Sequence, residues 1–391
     1  MMPLGVRNPF DLDSAINLTS EFVTSYAKQL RLATTSSRGC DPVLRGSHAR
    51  QFFLGNGGCW SVAYTVADNL RTKLQLGRVS RVWHPHDIAG AISIVGFASS
   101  FNRLLDADGL GEADIVHLVS GSGRSANLVN VVDLAAKRGA TVLAHCGHDG
   151  GLLRQKVSEG VQIVSFDQQI VEDALLLRLW PGHCDDQGVI DASVAILTAT
   201  LRAEIPNLAD VAIAIAEAVV EKKPIGVVAL DVAAVSASAE HVAHNLSWDM
   251  CWDAPEMRPK VHFALSNGLL TAVANDSGVD AEPFEQMLLP ARPHGIVINL
   301  GRERVKPPSD VSRPDLGISK AAFQTLCVSD ELRFEAQQDL DFMCAAFVQM
   351  WGHVLIRVGR ALVLTNSSPN DYETRLTYAQ RPIAPRMERD D

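Results

Sequence analysis

Short, wholly apolar runs alternate along the chain with longer stretches of helical periodicity, the pattern of an α/β protein built on buried parallel strands. Residues 52–58 read FFLGNGG: Phe52, Phe53 and Leu54 suit a buried strand, Gly55, Gly57 and Gly58 permit positive φ and close approach of a ligand, and Ser61–Leu70 runs on as a helix. Residues 115–127 read IVHLVSGSGRSAN, a second apolar run that breaks into hydroxyl residues. A helix is predicted over Ala126–Arg138, stopped by Gly139. Another strand, Ala140–Ala144, ends in HCGHDGG at 145–151. Upstream, Asp11–Leu32 has helical spacing with Asp11 or Asp13 as its cap, and downstream Gln187–Ala203 is helical before Pro206 punctuates the chain.

The second half repeats the α/β pattern. Pro224–Leu230, Lys260–Leu265, Leu270–Ala274 and Gly295–Leu300 read as strands, and Leu208–Glu221, Ala234–Leu246 and Leu332–Trp351 as helices. VKPPSDVSRP at 305–314 reads as a mobile lid or linker. No second glycine-serine loop is visible, and no sequence repeat.

Two strand-to-loop-to-helix junctions of this kind are what a domain needs to hold an anionic, phosphorylated small molecule, because helix N-terminal amides face the ligand. At the second junction Ser120, Ser122 and Ser125 add hydroxyl donors, and Arg124 adds a fork-shaped cation that matches phosphate oxygens.

These junctions carry a resemblance. From about residue 10 to 200 the chain resembles a sugar isomerase (SIS) domain of the phosphoheptose isomerase type, with Gly55–Cys59, Ser120–Ser125 and Asp149–Gly151 standing for its glycine loop, its phosphate loop and its DGG turn. The resemblance implies a five-stranded parallel sheet flanked by helices over residues 1–205, with a second α/β domain, a diverged SIS-like unit among the readings, over 206–391. It implies a phosphorylated sugar held by Asn56, Gly57, Ser120, Ser122, Arg124 and Ser125, and a homodimer or homotetramer into which the first helix packs. Cys59 stands where the family has serine, near a helix N-terminus that would lower a thiol pKa.

Aldose-ketose isomerisation needs a base to move a proton between adjacent carbons and an acid or metal to polarise the carbonyl. The family's His and Glu positions read Thr65 and Asn69, its Gln position falls on Glu172 or Val171, and its later His position on Leu179 or Trp180. The usual zinc and acid-base pair are therefore unsupported at their usual sites, and the residues leave open whether a divalent metal such as zinc is used. Glu172 and Asp68 are the candidate carboxylates, each also readable as a helix-surface charge. His84 and His86 in WHPHD, and His145 and His148 in HCGHDGG, sit at expected strand ends as candidate ligand contacts, with His145 and His148 as catalytic candidates. GHCDD at 182–186, and His241 with His244 three residues on, are weaker clusters.

Composition narrows the classes. At 391 residues and 47% hydrophobic the chain can bury two cores, and a net charge of -10 with no basic block argues against a nucleic-acid partner. No signal-peptide pattern or uninterrupted apolar span of membrane length is read, and seven irregularly spaced cysteines point to reduced thiols in the cytosol. Two functions are expected from the sequence: a sugar-phosphate isomerase with relocated catalytic groups, or a non-catalytic sugar-phosphate sensor or scaffold.

Overall fold

The computed structural model describes residues 11–39, 49–73, 80–183, 186–229, 231–250, 257–263, 295–302, 316–327, 337–365 and 377. The strand expected over Leu270–Ala274 and the proline-rich segment at 305–314 lie outside them, as do Cys184, Asp185, Cys251 and Asp253. The chain divides into two compact units. The division falls inside three helices, at Ala27/Lys28, Ala195/Ile196 and Ala346/Phe347, and not at one cut after residue 205.

The first unit follows the order α1 (Leu12–Thr35, of which Lys28–Thr35 belongs to this unit and the rest to the second), β1 (Gln51–Gly55), α2 (Gly58–Lys73), β2 (Ser80–Arg81), α3 (Pro85–Val95), α4 (Ser100–Ala107), β3 (Ile115–Ser120), α5 (Ala126–Arg138), β4 (Thr141–Gly147), α6 (Gly151–Lys156), β5 (Gln162–Ile163) and α7 (Gln168–Arg178). Its strands form one parallel sheet in the order β2-β1-β3-β4-β5. Every residue of β1 and β3 is buried, which is why apolar residues dominate both strands. Phe52, Leu54, Val116, Leu118, Ala144 and Cys146 pack against Leu128 and Val131 of α5 in the core on one face. Helix α5 ends where its sequence signal stood, with Gly139 left-handed at φ 74°.

At the N-terminal ends of the central strands, Arg50 forks onto Asp114 at 3.0 and 2.6 Å and donates to the carbonyls of Asp108 and Gly109. Burial alone would raise the Asp114 carboxyl. The Arg50 fork and the Gly111 N–H outweigh it and hold that carboxyl below the usual range.

The second unit contains α9 (Ile205–Val220, after α8, Gln187–Ala203), β6 (Ile225–Val228), α10 (Ala233–Trp248), β7 (Val261–Phe263), β8 (Ile296–Asn299), β9 (Leu316–Gly317), α11 (Lys320–Cys327) and the C-terminal part of α12 (Gln337–Leu364). Its parallel sheet has the order β7-β6-β8-β9. In chain order that is second, first, third, fourth, the sequence of neighbours with which the first sheet begins. Among the described residues the second unit thus repeats the order of the first sheet's first four strands. At the point where the second sheet's order reverses, Arg302 after β8 donates to the carboxylate of Asp231 after β6 from its backbone N–H (2.8 Å), Nε (2.9 Å) and Nη2 (2.5 Å).

Two expectations change here. Ala15, Leu18, Phe22, Val23, Tyr26 and Leu30 of α1 are buried within the chain itself, so the apolar face of that helix is not left for a partner subunit. Helix α12 is long and apolar enough to cross a membrane, but its apolar window is wholly buried inside the protein, where a core helix passes the same test.

Candidate functional site

The order of the first sheet reverses between β1 and β3, so the loops after them leave in opposite directions around a crevice at the strand ends. Asn56, after β1, and Asn127, in the first turn of α5, close this junction with reciprocal amide hydrogen bonds of 3.0 Å. Gly57 holds φ 53° and a side chain there would meet nothing within 4 Å, so the residue serves the turn and leaves open space beside it.

The serine loop is built by its own backbone. The buried Ser120 hydroxyl accepts from the Gly123 N–H at 3.0 Å, and the Ser122 hydroxyl accepts from the Arg124 N–H at 3.3 Å. Ser125 is the N-cap of α5, yet its side chain makes no capping bond, which leaves its hydroxyl and the helix's first amides for an anion. The DGG turn supports this loop from below. A side chain on Gly123 (φ 67°) would strike the Gly150 carbonyl at 1.9 Å, and one on Gly151 (φ 53°) the Ser122 carbonyl at 2.5 Å. Arg124 is not the free cation its position suggested: it donates to Asp149 at 2.7 Å and to the Ser122 carbonyl at 3.1 Å. That pair raises the Arg124 pKa and lowers that of Asp149.

Beneath the two loops lies a polar cluster contributed by α2 and α7. Glu172 is 4% exposed and its carboxylate accepts from Gln168 Nε2 at 2.7 Å, one helical turn away. The space a Cβ would fill on Gly58, the first residue of α2, is taken by that carboxylate, 2.4 Å from the added atom, so Glu172 sits on the positive end of α2. Cys59 Sγ accepts the Gly121 N–H at 3.1 Å. Its thiol is pushed well above the usual range, first by burial and then by Glu172, with only partial relief from Gly121 and Gln168. This reverses the lowering expected from a helix N-terminus. Desolvation next to a carboxylate outweighs the helix dipole, and Cys59 stays a protonated thiol.

His148 stands on the far side of the DGG turn in the left-handed region, φ 52°, a conformation histidine tolerates better than most residues. It is 7% exposed, its Nε2 is buried without a partner among the described residues, and its ring lies 5.4 Å from that of Phe166. Burial, reinforced by Arg124 and opposed by Asp149 and Asp167, lowers its pKa, which keeps the imidazole neutral near pH 7.

The other expected residues are not brought together there. His145 is wholly buried inside β4: Nδ1 accepts the Val161 N–H at 3.2 Å, Nε2 faces His117 Nδ1 at 3.2 Å, and His117 Nε2 faces Gln51 Oε1 at 2.9 Å. One tautomer satisfies this whole row, with each ring accepting on Nδ1 and donating from Nε2, so His145 is a structural histidine. Asp68 pairs with Arg71 ten residues into α2, about 15 Å from the helix start and hence from the crevice. His84 follows β2 at the sheet edge, its ring 6.3 Å from that of Tyr64 and 6.5 Å from that of Trp60, while His86 is exposed. In the second unit His241 is buried and faces His353 at 3.0 Å, whereas His244 is exposed, so the spacing-based pair does not form.

Zinc at the family positions does not fit these residues. Thr65 offers a hydroxyl, Asn69 spends its amide N–H on the Gln338 carbonyl at 2.7 Å, and Leu179 and Trp180 are buried core. Sequence reasoning missed Gln168, although it lies one turn before Glu172 in a stretch already marked as chemically relevant. Its i, i+4 spacing to the candidate carboxylate Glu172 was its signal.

The parallel sheet, with its strand order reversing between β1 and β3, defines the class of this unit, a doubly wound α/β domain. No family model and no curated protein matches the chain. Among solved structures it is similar to phosphosugar isomerases. The phosphoheptose isomerase of Neisseria gonorrhoeae is 19% identical over 46% of this chain and 90% of that one, with a TM-score of 0.32. That of Francisella tularensis is 18% identical over 43% and 89%, at 0.30. The C-terminal domain of glucosamine-fructose-6-phosphate aminotransferase from Francisella tularensis is 9% identical over 88% and 96%, at 0.43. Likeness at these values carries no weight for the site, which stands on its own geometry.

Proposed function

We propose that the first unit binds a phosphorylated sugar at the β1/β3 switch point and interconverts its aldose and ketose forms. The phosphate lies against Ser122, Ser125 and the first amides of α5, with Asn56 and Gly57 on the opposite loop. Glu172 takes a proton from the carbon next to the carbonyl and returns it to the neighbouring carbon, through an enediol. His148, neutral and with an open Nε2, is the second candidate for proton transfer. The observation that carries this reading is the buried carboxylate of Glu172, held by Gln168 directly beneath two loops suited to an anion.

A non-catalytic sugar-phosphate sensor is the second reading, favoured by the loss of metal ligands at Thr65, Asn69, Leu179 and Trp180. Both readings place the protein in the cytosol, in keeping with the thiols of Cys59, Cys146 and Cys327. A homodimer or homotetramer belongs to either, supported by the exposed Ile94, Val95 and Phe97 at the end of α3.

Calorimetric titration with five- to seven-carbon aldose and ketose phosphates tests the binding step. One site per chain is expected, weakened roughly ten- to hundredfold in Ser125→Ala, the cost of about 1.5–3 kcal/mol for a hydrogen bond to a charged group. Binding indifferent to Ser122→Ala and Ser125→Ala together would place the ligand elsewhere.

A further inference from the structure

The carboxamide of Gln168 lies flat on the first residue of the serine loop. A Cβ on Gly121 would fall 1.9 Å from Oε1, 2.2 Å from Nε2 and 2.4 Å from Cδ, so only glycine at this position admits the amide. Its orientation is fixed by chemistry. Nε2 donates to Glu172 Oε1 at 2.7 Å, and the flipped amide would set two oxygens against each other at that distance. The oxygen must therefore face away from Glu172, and there it is buried with no hydrogen-bond partner among the described residues. An unpaired buried acceptor costs free energy in the unliganded protein, and such groups are rare enough in native structures to call for an explanation.

We propose that Gln168 is a substrate-binding residue whose Oε1 accepts a hydrogen bond from a hydroxyl of the sugar while its Nε2 holds Glu172. This rests on the functional reading above and deepens it. Only a donor satisfies a carboxamide oxygen, so the occupant is a hydroxyl and not a phosphate dianion, which has no proton to give at neutral pH. The serine loop and Gln168 therefore recognise opposite kinds of group, one anionic and one donating. That fixes the sense in which the ligand lies: phosphate toward Ser125 and α5, polyol end toward Gln168, with the carbon that loses its proton next to Glu172. It also makes Gln168 the residue that separates sugar phosphates from inorganic phosphate and from deoxy analogues.

The test uses the full chain, wild type and Gln168→Met, which keeps length and volume but removes both polar atoms. Affinities are measured by calorimetry for the tightest-binding sugar phosphate of the panel, for its deoxy analogues and for inorganic phosphate. The expected result is a loss of tenfold or more in sugar-phosphate affinity with unchanged affinity for inorganic phosphate. One deoxy analogue should bind the wild type as weakly as the parent sugar binds the variant, and lose nothing further in it. Gln168→Glu, which keeps an acceptor but sets a second carboxyl beside Glu172, should recover part of the affinity and shift the pH profile upward. Equal loss for sugar phosphate and inorganic phosphate would mean a structural role only and would overturn the proposal, as would unchanged sugar-phosphate binding. If the wild type bound neither probe, the functional reading would fail first, and the inference with it.

Discussion

The carboxylate of Glu172 lies over the Cα of Gly58, so close that a single added methyl group would meet it at 2.4 Å. A residue of α7 is thus held against the first turn of α2, and the glycine there serves the protein's own acid and not a ligand. Gly58→Ala is a selective probe of this contact. The atom in the way is the end of a flexible side chain, and alanine suits a helix, so stability should change by no more than about 1 kcal/mol. The displaced carboxylate should lower turnover by as much as a hundredfold, since a shift of about 1 Å at a reacting group can cost that much. Sugar-phosphate affinity should persist. Thermal unfolding beside steady-state kinetics checks both halves.

Cys59 should be inert. Its thiol is buried and held protonated beside Glu172, whereas Cys327 is exposed. Brief iodoacetamide treatment of the native protein at neutral pH, read by peptide mass spectrometry, should modify Cys327 and spare Cys59, and unfolding in denaturant should abolish the difference.

His148 should make stability fall on mild acidification. Its folded pKa is below the unfolded value of about 6.5, so between the two the unfolded chain binds more protons and stability rises with pH. The contribution is complete above about pH 6.5 and is lost as pH falls through the folded value. His148→Asn, which tolerates the same left-handed backbone, should flatten the unfolding free energy against pH over that window. An unchanged slope would assign the acid sensitivity to other groups.

Much of the first sheet was legible because its signals are local. The apolar runs of β1 and β3, the glycines after them, and the stop at Gly139 each act within a few residues. What failed depended on contacts distant in sequence. The histidines looked alike in the sequence, yet His145 lies inside a strand that runs on to Gly147, in a row with His117 and Gln51, while His148 lies just past its end. Arg124 read as a free cation because its partner Asp149 is on another loop. Gly58 read as room for ligand, but the space is taken by Glu172 from a helix far along the chain, as Gln168 of the same helix takes the space beside Gly121. The second unit kept the order of strands but not the loop chemistry. Where the first unit has its serine loop, Asp231 and Arg302 neutralise one another, a pairing that no local motif announces.

The most direct measurement is deuterium incorporation by proton NMR. Five- to seven-carbon aldose and ketose phosphates are incubated in deuterium oxide with the wild type and with Glu172→Gln, which keeps the shape of the side chain and removes the base. The account predicts deuterium at the carbon next to the carbonyl with the wild type, and its loss with Glu172→Gln while binding persists. Exchange that continued unchanged in Glu172→Gln, or tight binding by the wild type with no exchange for any sugar, would contradict the assignment of Glu172 as the base.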